Sequence, residues 1–238
     1  MEGLEIRHTL RLKTDRATSA AGYTVTLQAA LAQAGFSVAG FEGGILSSVV
    51  AAVTEPLRQA LSALLSGPVL VVGKTAKTTL PLCIDQPETI GADLIAAAEG
   101  ALAQYAPPLV LIDMGTATTF SVLDKSGAFL GGAIAPGVQL GAEALTQRTG
   151  LPMTELSAPQ SPLSHSTTDC LRSGIIYGAA AMVDGMLDRL ETALGTPVTA
   201  IATGGLARCV IPHCRRPVTL DDQLLLRGLA VMYRREMT

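Results

Sequence analysis

Patterns typical of strands alternate with patterns typical of helices along this chain, and this alternation constrains its fold more than any other feature. Short apolar runs indicate buried strands, and longer Ala- and Leu-rich runs with a period near 3.6 indicate helices. Such alternation favours an α/β fold in which helices pack on sheets. Two adjacent prolines, Pro107 and Pro108, interrupt it. We therefore predict an α/β lobe over residues 1–108 and a second over residues 109–238.

The predicted elements are spread over both halves. In the first predicted strand, Leu10 and Leu12 lie on an apolar face and Arg11 and Lys13 on a polar one. Ser157–Ser166 is rich in Pro and Ser and is predicted to be a loop. The predicted strands are Leu4–Lys13, Ile45–Val50, Val69–Val72, Leu109–Ile112, Thr118–Leu123, Ala128–Ile134 and Thr199–Ala202; the predicted helices are one capped by Thr18 or Ser19, Glu55–Leu65, Ile95–Tyr105, Ile175–Leu194 and Gln223–Arg235.

Charge and composition narrow the classes of function. The formal net charge of −3 argues against a basic surface for nucleic acid. No apolar run reaches the roughly 18 residues that a membrane span requires, and the first residues do not resemble a signal peptide. We therefore expect a cytoplasmic protein without a nucleic-acid or membrane partner. In such a protein the four cysteines are expected to be buried free thiols.

The segment Asp113–Thr119 is the strongest candidate for chemistry. It follows an apolar strand, and a turn at this place can direct the N–H groups of Gly115 and Thr116 toward one point. The hydroxyls of Thr116, Thr118 and Thr119 add hydrogen-bond donors, and Asp113 can hold a cation that neutralises phosphate charge. Standing alone, this pattern would more often be an ordinary Gly/Thr hairpin turn.

Two glycine-rich segments follow it. Gly131–Gly137 lies on the next predicted strand, and Thr203-Gly204-Gly205 follows the strand Thr199–Ala202. Paired glycines after a strand let a nucleotide approach the backbone closely, although each pair by itself is more often a tight turn. The order and context of the three segments therefore carry more information than any one of them.

Taken together, these segments resemble the type III pantothenate kinases, a branch of the acetate kinase–Hsp70–actin superfamily. Asp113–Thr119 resembles the second phosphate motif of that family, Gly131–Gly137 its Gly-Gly-x-Ile-x-Pro-Gly segment, and Ala202–Ala207 its Thr-Gly-Gly-Leu-Ala segment. Gly91-Ala92-Asp93 resembles its Gly-x-Asp-Arg substrate motif, and Thr167 matches a Thr that precedes a Ser-Gly. The resemblance implies two ribonuclease-H-like α/β lobes.

The resemblance also implies roles for single residues. The family transfers phosphate from ATP to the hydroxyl of pantothenate, the first step toward coenzyme A, with Mg²⁺ and a monovalent cation, K⁺ or NH₄⁺. By this resemblance Asp93 is the catalytic base, Asp113 binds the monovalent cation, and Thr167 reaches pantothenate across a dimer. The remaining implied contacts are Gly91 and Ala92 to the substrate, and Gly115, Thr116, Thr118, Gly204 and Gly205 to ATP. The plainer alternative for Asp93 is a helix N-cap.

The sequence departs from the family pattern in three ways. It contains no Asp-x-Gly-Asn-Thr segment, and its first predicted strand, Leu4–Lys13, corresponds to the third strand of the family, so we expect the first lobe to lack its first two strands. Leu94 replaces the Arg of Gly-x-Asp-Arg and cannot make charge-assisted hydrogen bonds. Ile84 stands where the family usually has a Tyr that contacts the substrate.

Two hypotheses follow from these departures. In the first, the chain is a pantothenate kinase that is complete only with a missing N-terminus or with an intact partner subunit, as a homodimer or as a heteromer with an intact paralogue. In the second, it is a catalytically inactive relative that acts as a binding, scaffolding or regulatory subunit. A kinase assay with and without such a paralogue separates the two.

Overall fold

The computed structural model describes residue 1 and residues 5–238, and it confirms the predicted α/β class. Seven strands and seven α-helices lie in the described part of the chain, together with short 3₁₀ turns. In chain order they are α1 (Ala20–Gln33), β1 (Gly44–Leu46), α2 (Ala51–Leu64), β2 (Val69–Val71), α3 (Ala92–Leu102), β3 (Leu109–Met114), β4 (Ala117–Leu123), β5 (Phe129–Pro136), α4 (Val138–Thr149), α5 (Thr167–Leu194), β6 (Thr199–Thr203), α6 (Ala207–Val210), β7 (Thr219–Leu220) and α7 (Leu224–Met237).

The chain forms two compact units, and each is discontinuous in sequence. The first consists of residues 1–79, 88–103 and 223–238, and the second of residues 80–87 and 104–222. Helix α7 belongs to the first unit because it packs along α3. The assignment of separate lobes to residues 1–108 and 109–238 stays a prediction.

The first unit contains a small parallel sheet. Strand β1 pairs with β2, with Gly44 opposite Val69 and Leu46 opposite Val71. A buried ion pair ties α3 to α7, because Arg235 Nη1 lies 3.0 and 3.1 Å from the two carboxylate oxygens of Glu99. Thr78 Oγ1 donates to the same carboxylate at 2.8 Å. The carboxylate of Glu99 is therefore compensated in full by charge and hydrogen bonds, as burial requires.

The strand predicted over Leu4–Lys13 is wrong. Leu4 lies outside the described residues, and residues 6–13 form no strand; only Glu5 takes part in an isolated bridge. Leu10 and Leu12 are 45% and 44% exposed. Among the described residues the sheet of the first unit consists of β1 and β2. The segment over residues 6–13 therefore has no neighbouring strand there that would bury its apolar face. Alternation alone does not form a strand without a pairing partner.

The second unit is built on a five-stranded sheet of order β5-β4-β3-β6-β7. Strand β3, the first in sequence, lies at the centre; it is antiparallel to β4 and parallel to β6. Strands β4 and β5 are antiparallel, and β6 and β7 are parallel. A central first strand with this mixture of directions is the arrangement expected of a ribonuclease-H-like lobe.

Helix α5 covers one face of this sheet. Its buried residues Ile176, Val183 and Leu187 pack into one cluster with Ile112 and Phe120 of the sheet. The helix begins at Thr167, earlier than the predicted Ile175, because Ser166 caps it by accepting a hydrogen bond from the N–H of Asp169 at 3.1 Å.

All four cysteines are free, as predicted, but they are not all buried. Cys83 and Cys170 are exposed, and Cys209 and Cys214 are half-buried. Burial, and secondarily the carboxylate of Asp184, raises the pKa of the Cys214 thiol to about 12. The expectation of buried thiols is therefore wrong for Cys83 and Cys170, and Cys209 and Cys214 meet it only in part.

Candidate active site

The turn between β3 and β4 is the centre of the candidate site in the second unit. Asp113 is the penultimate residue of β3 and is half-buried, whereas Gly115 and Thr116 in the turn are exposed. The N–H of Gly115 donates to the carbonyl of Ala117 at 3.0 Å. This amide is therefore used within the turn and, contrary to expectation, is not directed toward a ligand.

Gly137, the last residue of the segment Gly131–Gly137, packs directly against this turn. Its N–H donates to the carbonyl of Thr116 at 3.1 Å. A Cβ at this position would lie 2.2 Å from the Thr116 oxygen and 2.5 Å from the Gly115 oxygen. No side chain fits there, so the requirement for glycine comes from close packing on the turn.

Gly204, in the third segment, packs against Asp113. Its φ is +98°, and a Cβ there would lie 2.6 Å from Asp113 Oδ1 and 2.7 Å from the Met114 nitrogen. The residue before it, Thr203, is the register partner of Asp113 on the neighbouring parallel strand. The structure thus brings the three predicted segments together at one end of the sheet, beyond the carboxyl ends of β3 and β6, where open α/β sheets commonly bind ligands.

The two threonines of β4 point to opposite faces of the sheet. Thr118 is fully buried and lies opposite Met114, on the face that α5 covers. Thr119 lies opposite Asp113, on the other face. Both hydroxyls are buried and have no hydrogen-bond partner. Thr118 is therefore not accessible to a nucleotide, and of the two it is Thr119 that shares the face of Asp113.

The predicted base lies in the first unit, at the start of α3. The N-cap residue is Gly91, and Asp93 lies in the first turn, where Oδ1 accepts the N–H of Leu94 at 2.9 Å. A carboxylate in the first turn is favoured by the positive end of the helix dipole. Asp93 is therefore not the N-cap itself, the alternative considered from sequence. A Cβ on Gly91 would lie 3.7 Å from Val49 Cγ1, so the loop that follows β1 is close to this helix start.

Thr167 is exposed at the first residue of α5, in the second unit. It lines an open apolar cavity of about 430 Å³ between α4 and α5. The walls of this cavity include Leu145, Leu151, Leu171 and Ile175. Helix α4, which forms one wall, was not predicted from sequence; it starts after Gly137 and ends at Gly150, which is left-handed with φ +71°.

The sequence matches a family model described as type III pantothenate kinase over residues 1–189. A type III pantothenate kinase of Exiguobacterium sp. is 37% identical over 98% of this chain and 92% of its own length. The chain belongs to the type III pantothenate kinase family. Another member, from Thermomicrobium roseum, is also 37% identical, over 98% of this chain and 90% of its own.

A solved structure shows the same fold as this family member. It is a conserved protein from Campylobacter jejuni assigned to the Baf family of transcriptional activators, with a TM-score of 0.60 and 17% identity over 83% of this chain and 84% of its own. The family match and the sheet order of the second unit confirm the predicted superfamily fold.

Two features of the described residues bear on what this member of the pantothenate kinase family could bind. None of the described helices is long and apolar enough to cross a membrane. Within the same residues, no group of three or more His, Cys, Asp and Glu side chains is placed to hold a metal ion.

Proposed function

We propose that this chain phosphorylates the hydroxyl of pantothenate with ATP in the cytoplasm, as a type III pantothenate kinase. The observation that carries the proposal is the convergence of the Asp113 turn, Gly137 and Gly204 in one place. Gly137 and Gly204 each lie too close to the turn to carry a side chain. Such precise backbone packing at the end of a sheet suits the positioning that phosphoryl transfer depends on.

In this proposal the nucleotide phosphates bind beside the β3–β4 turn. Thr116 and the Gly204–Gly205 loop contact ATP, and Gly115 contributes by shaping the turn rather than by its amide. The burial of Thr118 removes it from the proposed contacts. Asp113 binds K⁺ or NH₄⁺, for which carboxylate oxygen is a suitable ligand. Mg²⁺ bound with the nucleotide supplies neutralisation of phosphate charge.

Asp93 acts in this proposal as the base that orients the acceptor hydroxyl, with Gly91 and Ala92 beside the substrate. The first turn of a helix is a favourable place for a carboxylate, and a loose transition state needs orientation of the hydroxyl more than strong basicity. The exposed loop at Val49 lies next to the same helix start, so substrate has access to this end of α3.

Thr167 contacts pantothenate bound by a neighbouring chain, and this requires a dimer. The apolar cavity that Thr167 lines, with Leu145, Leu171 and Ile175 in its walls, supports an interface at this place because its lining is apolar and open to solvent. The partner is a second copy or an intact paralogue.

The test is release of ADP by the purified chain with ATP, Mg²⁺ and K⁺, measured with and without pantothenate. Pantothenate-dependent release, reduced by Asp113→Asn, is the expected result. Asp222→Asn is the matched control, because this carboxylate pairs with Arg208 at the surface. If pantothenate and ATP bind but no ADP forms, with or without an intact paralogue, the chain is a non-catalytic subunit and the proposal is wrong.

A further inference from the structure

A row of polar side chains crosses three neighbouring strands at the candidate site. Thr119 on β4 lies opposite Asp113 on β3, and Asp113 lies opposite Thr203 on β6. Residues directly opposite one another in a sheet have their side chains on the same face. The carboxylate of Asp113 is therefore flanked on both sides by threonines, one of which, Thr203, is buried.

The hydroxyl of Thr119 is the unusual member of this row. It is buried, and it has no hydrogen-bond partner among the described residues. Buried polar atoms are nearly always hydrogen-bonded, so an unpaired hydroxyl on the same face as a carboxylate is a candidate ligand for a bound ion or water. The space beside Asp113 Oδ1 also depends on Gly204, since any Cβ there would lie 2.6 Å from that oxygen.

We propose that the Thr119 hydroxyl oxygen is a direct ligand of the monovalent cation bound by Asp113, and that Thr203 closes the site on the other side. This inference rests on the cation site of the proposed function and adds two side chains to it. A cation fits the row better than a phosphate oxygen, because the Asp113 carboxylate attracts a cation and repels an anion. Oxygen atoms of carboxylate, hydroxyl and carbonyl groups are the ligands that hard cations prefer.

The chain offers a matched control for this proposal. Thr118 is the adjacent residue and also has a buried, unpaired hydroxyl, but it lies on the opposite face, against the core that α5 covers. Replacing either threonine by valine removes one hydroxyl and keeps the shape and β-branching of the side chain. Only the Thr119 change is expected to affect cation binding.

The experiment measures the thermal unfolding midpoint of the full chain while KCl replaces choline chloride at constant ionic strength, with and without a non-hydrolysable ATP analogue. A ligand that binds the native state raises this midpoint, because it stabilises that state by RT ln(1 + [L]/Kd), where [L] is the free ligand concentration. Thr119→Val should weaken the apparent K⁺ affinity by about tenfold or more, the scale on which supporting groups of metal sites act. Thr118→Val should leave it unchanged, and Thr119→Ser should retain most of it.

The proposal is overturned if Thr119→Val responds to K⁺ like the parent chain, if Thr118→Val loses the response equally, or if the parent shows no K⁺ response. It is also overturned if Asp113→Asn keeps the response, because the cation then binds elsewhere. Far-UV circular dichroism establishes that each variant is folded, and Thr119→Ala, which also removes the hydroxyl, carries the test should the valine variant not fold. The K⁺ response does not depend on turnover, so failure of the kinase assay with an intact response would refute the proposed function alone.

Discussion

Single residues around Asp113 show how closely the backbone is packed at the candidate site. The N–H of Gly137 donates to the Thr116 carbonyl. Gly204 lies so close to Asp113 Oδ1 that a Cβ would not fit at this position. Gly205, one residue further on, has no atom within 4 Å of the place where its Cβ would be. The neighbouring glycines of this motif therefore differ in the space available for a side chain.

Gly204→Ala should lower the free energy of unfolding by roughly 1–3 kcal/mol, because the new Cβ strains a backbone with φ +98° and collides with Asp113 and Met114. Gly205→Ala should change it by less than about 0.5 kcal/mol. Urea denaturation of both variants measures the difference. Equal stability of the two would mean that the loop moves away from Asp113 at little cost.

Asp93→Asn should reduce pantothenate-dependent turnover by roughly 10²–10⁴-fold, the usual span for a positioned acid or base. The amide keeps the size of the side chain but cannot accept the hydroxyl proton. Steady-state rates at saturating ATP measure the effect. Glu88→Gln serves as the control, because Glu88 is exposed in the 3₁₀ turn that precedes α3. A rate close to that of the parent chain would leave Asp93 with only a helix-stabilising role.

The residue types at the site were predictable from sequence, but their orientation was not. Order and spacing pointed to Asp113, Gly137 and Gly204, and the structure brings them together. The prediction for Thr118 did not account for the alternation of side chains along β4, which follows only from the register with β3. Likewise, the use of the Gly115 amide inside the turn depends on turn geometry that a motif does not specify.

Among the elements, helix α5 also holds the loop that precedes it. Arg172 donates to the Ser157 carbonyl at 3.1 Å, and Tyr177 donates to the Pro159 carbonyl at 2.9 Å. Ser173 donates to the Pro162 carbonyl at 2.5 Å. These side chains satisfy loop carbonyls that have no strand or helix partner, and they hold the chain that leads into Thr167.

Arg172→Ala should make the loop over Ser157–Ser166 exchange its amide hydrogens about tenfold faster, because removing hydrogen bonds worth roughly 1 kcal/mol or more each favours local opening. Hydrogen–deuterium exchange with mass spectrometry measures this. Arg189→Ala is the matched control on the same helix, since that guanidinium donates to the carbonyl of Gly185 one turn earlier. Unchanged exchange in the Arg172 variant would show that Ser173 and Tyr177 suffice.

Element existence was easier to predict than element boundaries. Two helices begin earlier in the structure than predicted, and their N-caps explain this difference. Helix α5 begins directly after the N-cap Ser166, and α3 begins at Ala92, directly after the N-cap Gly91. Helix α4 was missed because it has few buried residues, Val138 and Ala142, and therefore no clear apolar stripe. The prediction of a first strand over Leu4–Lys13 was wrong for the opposite reason. This segment has the alternating pattern of a strand, but among the described residues it has no strand to pair with.

The replacement of the Arg of Gly-x-Asp-Arg by Leu94 bears on the activity of the whole protein. Leu94 follows Asp93 in the first turn of α3, where the family has an arginine. A leucine offers no donor to a substrate, and loss of a single charge-stabilising donor at an active site can cost about 2.7–4 kcal/mol. A dimer in which one chain supplies Thr167 to the other could work with one intact substrate site.

This chain alone should therefore phosphorylate pantothenate slowly, and mixing it with a relative that carries Asp-x-Gly-Asn-Thr and Gly-x-Asp-Arg should raise the rate. Coupled ADP assays and sedimentation of the mixture measure activity and association together. In the mixed complex, Thr167→Ala in this chain should reduce the rate more than Asp93→Asn in this chain. Rapid pantothenate-dependent turnover by this chain without any partner would contradict the prediction.

The packing of α7 in the first unit has a consequence for synthesis on the ribosome. Helix α3 remains without its main packing partner, and the carboxylate of Glu99 without Arg235, until helix α7 has left the exit tunnel. The second unit ends at residue 222 and can form its sheet before then. The nascent chain is thus expected to complete its later-encoded unit first, while the earlier-encoded one waits for the synthesis of α7.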